Sequence, residues 1–332
     1  MKKTLTVSII VVLVIASFAA GYALNISINS KPSTTSGINS NPPTPSGITV
    51  LDDDNNIVTV PQPVNRIVSL APSCTEIAFA LGLGNKVVGD TIYDDFPNAT
   101  KNITKVGGLT NISVEGIVAL KPDLVLAYPL NYQQGIQKLK SLGIPVLILD
   151  PKNLQGILHD LILVGYVTGT YSNATKLSSM INSWLFSLYN VTSTINNKSK
   201  VFYLGWYPEL WTAGEDTFIN EMIVLAGGIN IASGGYSWFI MSKEYLLTQN
   251  PQWIIISQYQ KSLIPQIEND SSLSNITAIK ERNFIVLNDY LLQQPGPQIF
   301  IGVELLFETL YPNLTNEIPQ LTLQEIFPGY NS

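Results

Sequence analysis

Residues 113–128, SVEGIVALKPDLVLAY, decide the fold, because residues 242–257, SKEYLLTQNPQWIIIS, write the same pattern again. Ser113, Glu115 and Pro122 recur as Ser242, Glu244 and Pro251 at identical offsets, and each proline is followed by an apolar run. Serine is a good helix N-cap, and a glutamate in the first turn meets the positive end of the helix dipole. Neither proline can continue a helix, so each helix is short. LVLAY and WIIIS then read as strands buried on both faces, the habit of a parallel sheet. Two copies about 130 residues apart predict two related α/β lobes rather than a solenoid. Taken singly, either glutamate only completes a helix start. Taken together they predict two equivalent surface carboxylates.

Working outward, the 332 residues can hold two domains with separate cores. A hydrophobic share of 45% fits globular structure, with only 13% charged. A net charge of −6 and just two arginines, Arg66 and Arg282, exclude a nucleic-acid surface. A single cysteine, Cys74, rules out an intramolecular disulfide framework and a Cys-rich metal site. The single histidine, His159, falls in a helical run, where a solvated or core role is expected.

The N-terminus reads as an export signal. Lys2 and Lys3 precede an apolar run, residues 5–24, long enough to span a bilayer. The positive flank predicts a cytoplasmic N-terminus with the rest of the chain outside. Both a cleaved signal and a retained anchor fit. Residues 25–47, rich in Ser, Thr, Pro and Asn, cannot bury enough surface to fold and act as a tether, which favours the anchor. Ten N-x-[S/T] acceptors predict a glycosylated surface protein: Asn25, Asn98, Asn102, Asn111, Asn173, Asn190, Asn197, Asn269, Asn275 and Asn313.

The domain reading is a first α/β lobe over 48–170, a connecting helix over 171–198 and a second α/β lobe over 199–332. Residues 48–60 predict a hairpin with its polar turn at 52–56. Strand and helix signals alternate in both lobes, as in a mainly parallel sheet. A helix is expected over 75–81 with Thr75 near its cap. Residues 172–196 carry no Gly or Pro and space Leu177, Met180, Ile181, Trp184, Leu185, Leu188 and Val191 by three and four. That stretch predicts one long helix. Two lobes joined by a single strut leave a cleft between them.

In open α/β sheets a ligand binds outside the carboxyl ends of the strands. In the first lobe those positions hold 71–74, Tyr93, Leu109 and Tyr128. In the second they hold Trp206, Tyr207, Trp211, Tyr236, Trp238, Phe239, Asp289 and Tyr290. Core packing would explain any one of these rings. Rings in loops are harder to explain that way, and a cleft walled by them suits a large planar ligand. Catalysis has little to work with: one helical histidine completes no nucleophilic triad, and direct capture of Zn²⁺ or Mn²⁺ would want several imidazoles. The acidic runs 52–54 and 94–95 read as turn or surface acids rather than a hydrolase pair.

The chain resembles the substrate-binding proteins of the cobalamin and iron-siderophore ABC importer family, most of all its cobalamin binders. The likeness runs from Val64 to Leu310. It rests on RIVSLAPSCTEIAFALG (66–82), VGDTIYDDFP (88–97), SVEGIVALKPDLVLA (113–127), VFYLGW (201–206), TAGEDTFINEMIVLAGGINIA (212–232) and WFIMSKEYLLTQNPQWIII (238–256). The resemblance implies two Rossmann-like lobes joined by one long helix, with the ligand between them. It implies that Glu115 and Glu244 dock on arginines of a membrane permease, which works with ATPase subunits. It also implies that Tyr93, Tyr128, Trp211 and Trp238 surround a corrin ring, with Asp289 a polar pocket residue. Two positions depart from the cobalamin binders: Leu109 stands in place of a tryptophan and Gln293 in place of an arginine. A ferric hydroxamate siderophore or haem therefore stays open as the ligand, and an extracellular hydrolase on a surface polymer is the alternative of another class. No resident cofactor is expected.

Overall fold

A computed structural model describes residues 47–329. The apolar run 5–24 and all of the linker except Gly47 lie outside them. Among the described residues no helix is long and apolar enough to cross a membrane.

The hairpin forms as expected, from β1 (Gly47–Leu51) and β2 (Ile57–Pro61) in antiparallel register. The first lobe continues with β3 (Ile67–Ser69), α1 (Pro72–Ala80), β4 (Val87–Asp90), β5 (Thr104–Lys105), α2 (Val114–Ala119), β6 (Leu124–Ala127), α3 (Gln133–Ser141), β7 (Val146–Ile148) and α4 (Leu154–Thr168). Then comes the long helix α5 (Tyr171–Thr192). The second lobe runs β8 (Lys200–Leu204), β9 (Trp211–Ala213), α6 (Phe218–Leu225), β10 (Ile229–Asn230), β11 (Trp238–Ile240), α7 (Lys243–Gln249) and β12 (Trp253–Ser257). It ends with α8 (Ile264–Glu268), α9 (Thr277–Lys280), β13 (Phe284–Leu287), α10 (Asp289–Leu292) and α11 (Ile299–Leu310).

The sequence repeat is a structural repeat. Ser113 Oγ accepts from the Gly116 amide at 3.1 Å, and Ser242 Oγ from the Tyr245 amide at 3.2 Å, so both serines cap as their position requires. Both helices end alike, with Lys121 (φ 48°) and Asn250 (φ 47°) in the left-handed region just before the prolines. The strands that follow take equivalent places: β6 lies between β3 and β7, and β12 between β8 and β13, every pairing parallel. The full orders are β5-β4-β3-β6-β7 and β10-β8-β12-β13.

Each sheet buries its own core. Val68, Leu70, Ile117, Val125, Ile136 and Val146 pack together in the first lobe, and Phe202, Leu204, Leu246, Ile254 and Ile256 in the second. Full burial of such a side chain contributes about 1.5–3 kcal/mol, which is why these continuous apolar runs fix the central strands. Helix α5 buries Leu177, Ile181, Trp184, Leu185 and Leu188, packing mainly along α4 and touching α6.

Four local expectations change. Helix α1 starts at Pro72, not near Thr75, because proline suits the first helical turn. Thr75 is buried inside it and donates to Ser69 Oγ at 2.8 Å. Helix α5 stops at Thr192 rather than continuing to 196. The stretch expected as a loop after β13 contains α10, capped by Asn288. Trp211 and Trp238 sit on strands β9 and β11, which pair antiparallel apart from the main sheets.

Candidate functional site

The β9–β11 ribbon arranges the second lobe's indoles. Trp211 pairs with Ile240 and Trp238 with Ala213. Alternation along a strand therefore sends Trp211 and Trp238 to one face, as diagonal neighbours. Both are exposed, while Thr212 and Phe239 turn the other way, Thr212 fully buried and Phe239 packed on the core. Trp206 joins them through the turn after β8, with its carbonyl accepting from the Trp211 amide at 3.2 Å. The Gly205 amide reaches the Trp211 carbonyl at 2.7 Å, and a Cβ at Gly205 would stand 3.0 Å from the Tyr203 ring and 3.4 Å from Trp238. Glycine there lets the Trp238 ring and the Trp211 backbone come close at the carboxyl end of β8, next to the exposed Trp206. Tyr203 supports them from below, its buried ring meeting Trp238 edge-on at 5.7 Å between centroids. Burial, with the nearby Asp289 carboxylate, pushes the Tyr203 phenol well up, so it stays neutral.

Asp289 stands beside this group at the carboxyl end of β13. Its Oδ2 accepts from Ser257 Oγ at 2.9 Å and its Oδ1 from Gln293 Nε2. Gln293 thus holds the carboxylate in place. Tyr290, the next residue, points its hydroxyl at the first lobe.

In the first lobe Tyr93 is 54% exposed on the loop after β4. Lys105 fixes that loop from beneath, pairing with Asp90 at 2.9 Å and donating to the Asp94 and Thr100 carbonyls. Burial still lifts Asp90 to about 6. Tyr128 is partly buried after β6, and desolvation raises its phenol pKa. Asn131, a residue with no sequence signature, ties the Tyr128 turn to Leu70 and Leu109. Only 2% exposed, it accepts from the Tyr128 amide at 2.6 Å and donates to the Leu70 and Leu109 carbonyls.

The structure thus places Trp206, Trp211 and Trp238 at the end of β8 and on the paired β9–β11 ribbon, Asp289 at the end of β13, and Tyr93 and Tyr290 together across the lobes. It does not bring Tyr207 to them. Tyr207 is buried in the second core with its hydroxyl on Asp270 Oδ2 at 3.0 Å. Tyr236 is 72% exposed, and interaction with the Asp216 carboxylate raises its phenol. Glu115 and Glu244 are both exposed, in the first turns of α2 and α7.

A second inter-lobe contact lies below the site. Glu76, fully buried on α1, accepts from the Gln298 amide at 3.0 Å and from Gln298 Nε2 at 3.1 Å, at the start of α11. Gly296 makes room for it, since a Cβ there would stand 2.4 Å from Glu76 Oε2. Burial outweighs both hydrogen bonds and raises Glu76 to about 8.

The periplasmic binding protein family matches residues 67–291. An uncharacterized ABC transporter substrate-binding lipoprotein of Bacillus subtilis (strain 168) is 34% identical over 259 residues, which is 76% of this chain and 82% of the relative. The vitamin B12-binding protein of Yersinia pestis (strain Pestoides F) is 30% identical over 255 residues, 75% of this chain and 87% of that one. Among solved structures, the periplasmic heme-binding protein RhuT from Roseiflexus sp. RS-1 in apo form is similar at TM-score 0.68 and 25% identity, over 75% of this chain and 98% of that one.

Proposed function

Because the chain belongs to the periplasmic binding protein family, we propose that it is the extracytoplasmic substrate-binding protein of an ABC importer and carries a cobalamin-like corrinoid between its lobes. The observation that carries this reading is the set of three exposed indoles around Gly205, beside the Asp289 carboxylate. Flat rings cover a corrin macrocycle by stacking and by burying apolar surface. Asp289, an acceptor held by Ser257 and Gln293, matches the amide donors at a corrin's rim. The same carboxylate would repel the anionic propionates of haem and the anionic ferric catecholates.

Delivery then depends on Glu115 and Glu244, whose equivalent positions on the two lobes suit two equivalent basic patches on a permease served by ATPase subunits. A single helical strut joins the lobes, so the expected opening is small. The Bacillus subtilis relative is described as a lipoprotein. In this chain the one cysteine, Cys74, is buried in α1, so the segment 5–24 takes over as the membrane anchor, with 25–47 as its tether and glycans on the outer face.

Haem is the second reading, favoured by the similarity to RhuT and by the exposed phenol of Tyr93; a ferric hydroxamate would fit the same low-charge cleft. Family membership speaks for transport and against the hydrolase alternative. Melting the full chain with cyanocobalamin, haemin or a ferric hydroxamate tests the choice. The largest rise belongs to cyanocobalamin on this reading. A rise with haemin or the hydroxamate and none with cyanocobalamin would replace the ligand and keep the role.

A further inference from the structure

The hairpin turn sets Asp53 over helix α4, with its side chain held at the end of β7. Asp52 organises that turn, accepting from the Asp54 and Asn56 amides and, through Oδ2, from Ile148 at the end of β7. The Asp53 amide donates to the Ile148 carbonyl at 3.2 Å, and Asp53 Oδ2 accepts from the Asp150 amide at 2.6 Å. Its other oxygen is left facing His159, with Oδ1 3.8 Å from Nδ1. The same Nδ1 lies 3.7 Å from Asp160 Oδ1. These three side chains each offer a ligand atom, all within 4.8 Å of one another.

Asp160 is the telling member. It is completely buried, yet neither carboxylate oxygen has a hydrogen-bond partner among the described residues. A buried carboxylate that makes no hydrogen bond, with an imidazole nitrogen at 3.7 Å as its close polar contact, is costly and rare. Two carboxylates and one half-exposed imidazole, on the chain's only histidine, make a mixed O/N set that suits a divalent ion of the zinc or manganese kind. Ligands of a closed zinc tetrahedron stand about 3.3 Å apart, given metal–ligand bonds of about 2.0–2.1 Å. The observed 3.7 and 3.8 Å are wider by a few tenths of an ångström, within reach of small side-chain rotations.

We propose that Asp53, His159 and Asp160 bind a divalent cation, zinc by preference, that fastens the N-terminal hairpin to the first lobe. The ion would take one oxygen from Asp53, Nδ1 from His159 and the carboxylate of Asp160, with water completing its shell. The site joins the N-terminal hairpin to α4.

The test uses the full chain stripped with a chelator and dialysed against zinc chloride. The expected result is one zinc per chain, a shift of the single imidazole's proton resonances, and a rise in melting midpoint on the order of 5 °C at a hundredfold excess over Kd. His159→Ala, at an exposed position, should fold and lose all three responses. Asp160→Asn removes a buried carboxylate that makes no hydrogen bond, so it should melt no lower than the parent in metal-free buffer and ignore zinc. No stoichiometric zinc on the parent chain would overturn the proposal, as would an equal zinc response in both variants.

Discussion

The hydroxyl of Tyr290, in the second lobe, donates to the backbone carbonyl of Tyr93, in the first, at 3.1 Å. The same hydroxyl accepts from the Asp95 amide at 3.4 Å. One phenol therefore ties the second lobe to the loop that presents Tyr93.

Removing that hydroxyl should loosen this tie and leave both cores intact. Tyr290→Phe is expected to cost about 0.5–1.5 kcal/mol of closure, a several-fold faster ligand release with a nearly unchanged melting midpoint. Stopped-flow dissociation checks it. An unchanged release rate would show that the bond plays no part in retention.

Two neighbouring aromatic residues should behave in opposite ways. Trp206→Ala, at an exposed ring, should weaken corrinoid binding about tenfold or more and barely affect stability. Tyr207→Phe should leave binding alone and cost about 1 kcal/mol of stability through the lost bond to Asp270. Calorimetric titration and urea unfolding of each variant separate the two effects.

The paired carboxylates should matter only at the membrane. With Glu115→Ala and Glu244→Ala combined, ligand affinity stays within about twofold and importer-dependent uptake falls sharply, by the loss of two charged contacts. Uptake in reconstituted vesicles measures this, and full uptake by the double variant would remove the docking role.

Stability should fall as pH rises. Glu76 has its folded pKa raised from 4.5 to about 8, so its stabilisation is complete below about 4.5 and is lost as pH climbs toward 8. Glu304, raised to about 7 by burial, acts with the same sign. Glu76→Gln should remove its share of the slope, about 3–5 kcal/mol between pH 4.5 and 8. Urea unfolding at pH 5, 6.5 and 8 reads it directly. Parent and variant with identical slopes would contradict the assignment.

The sequence carried the repeat because its signals are local: the capping serines, the prolines and the apolar strands each act within a few residues of themselves. It could not carry the β9–β11 ribbon. Strands of three residues are too short for alternation to show, and Trp211 and Trp238 meet only through a pairing made far along the chain. Trp206 and Tyr207 look alike in the sequence, and only the packing of β8 onto its core sends one outward and one inward. Asn131 and Glu76 left no trace for the same reason: their partners, Leu70 and Leu109 or Gln298, are distant in sequence and mostly backbone. His159 is the exposed helical residue its pattern implies; its approach to Asp53 depends on the hairpin turn, a contact made far along the chain.

The most direct test of the central claim is a tryptophan fluorescence titration of the full chain with cyanocobalamin. Saturable quenching at one ligand per chain, reduced when Trp206, Trp211 or Trp238 is replaced by alanine, is the result expected. Emission that changes only in proportion to the ligand's own absorbance, with no saturation and no dependence on those three indoles, would contradict a corrinoid held between the lobes.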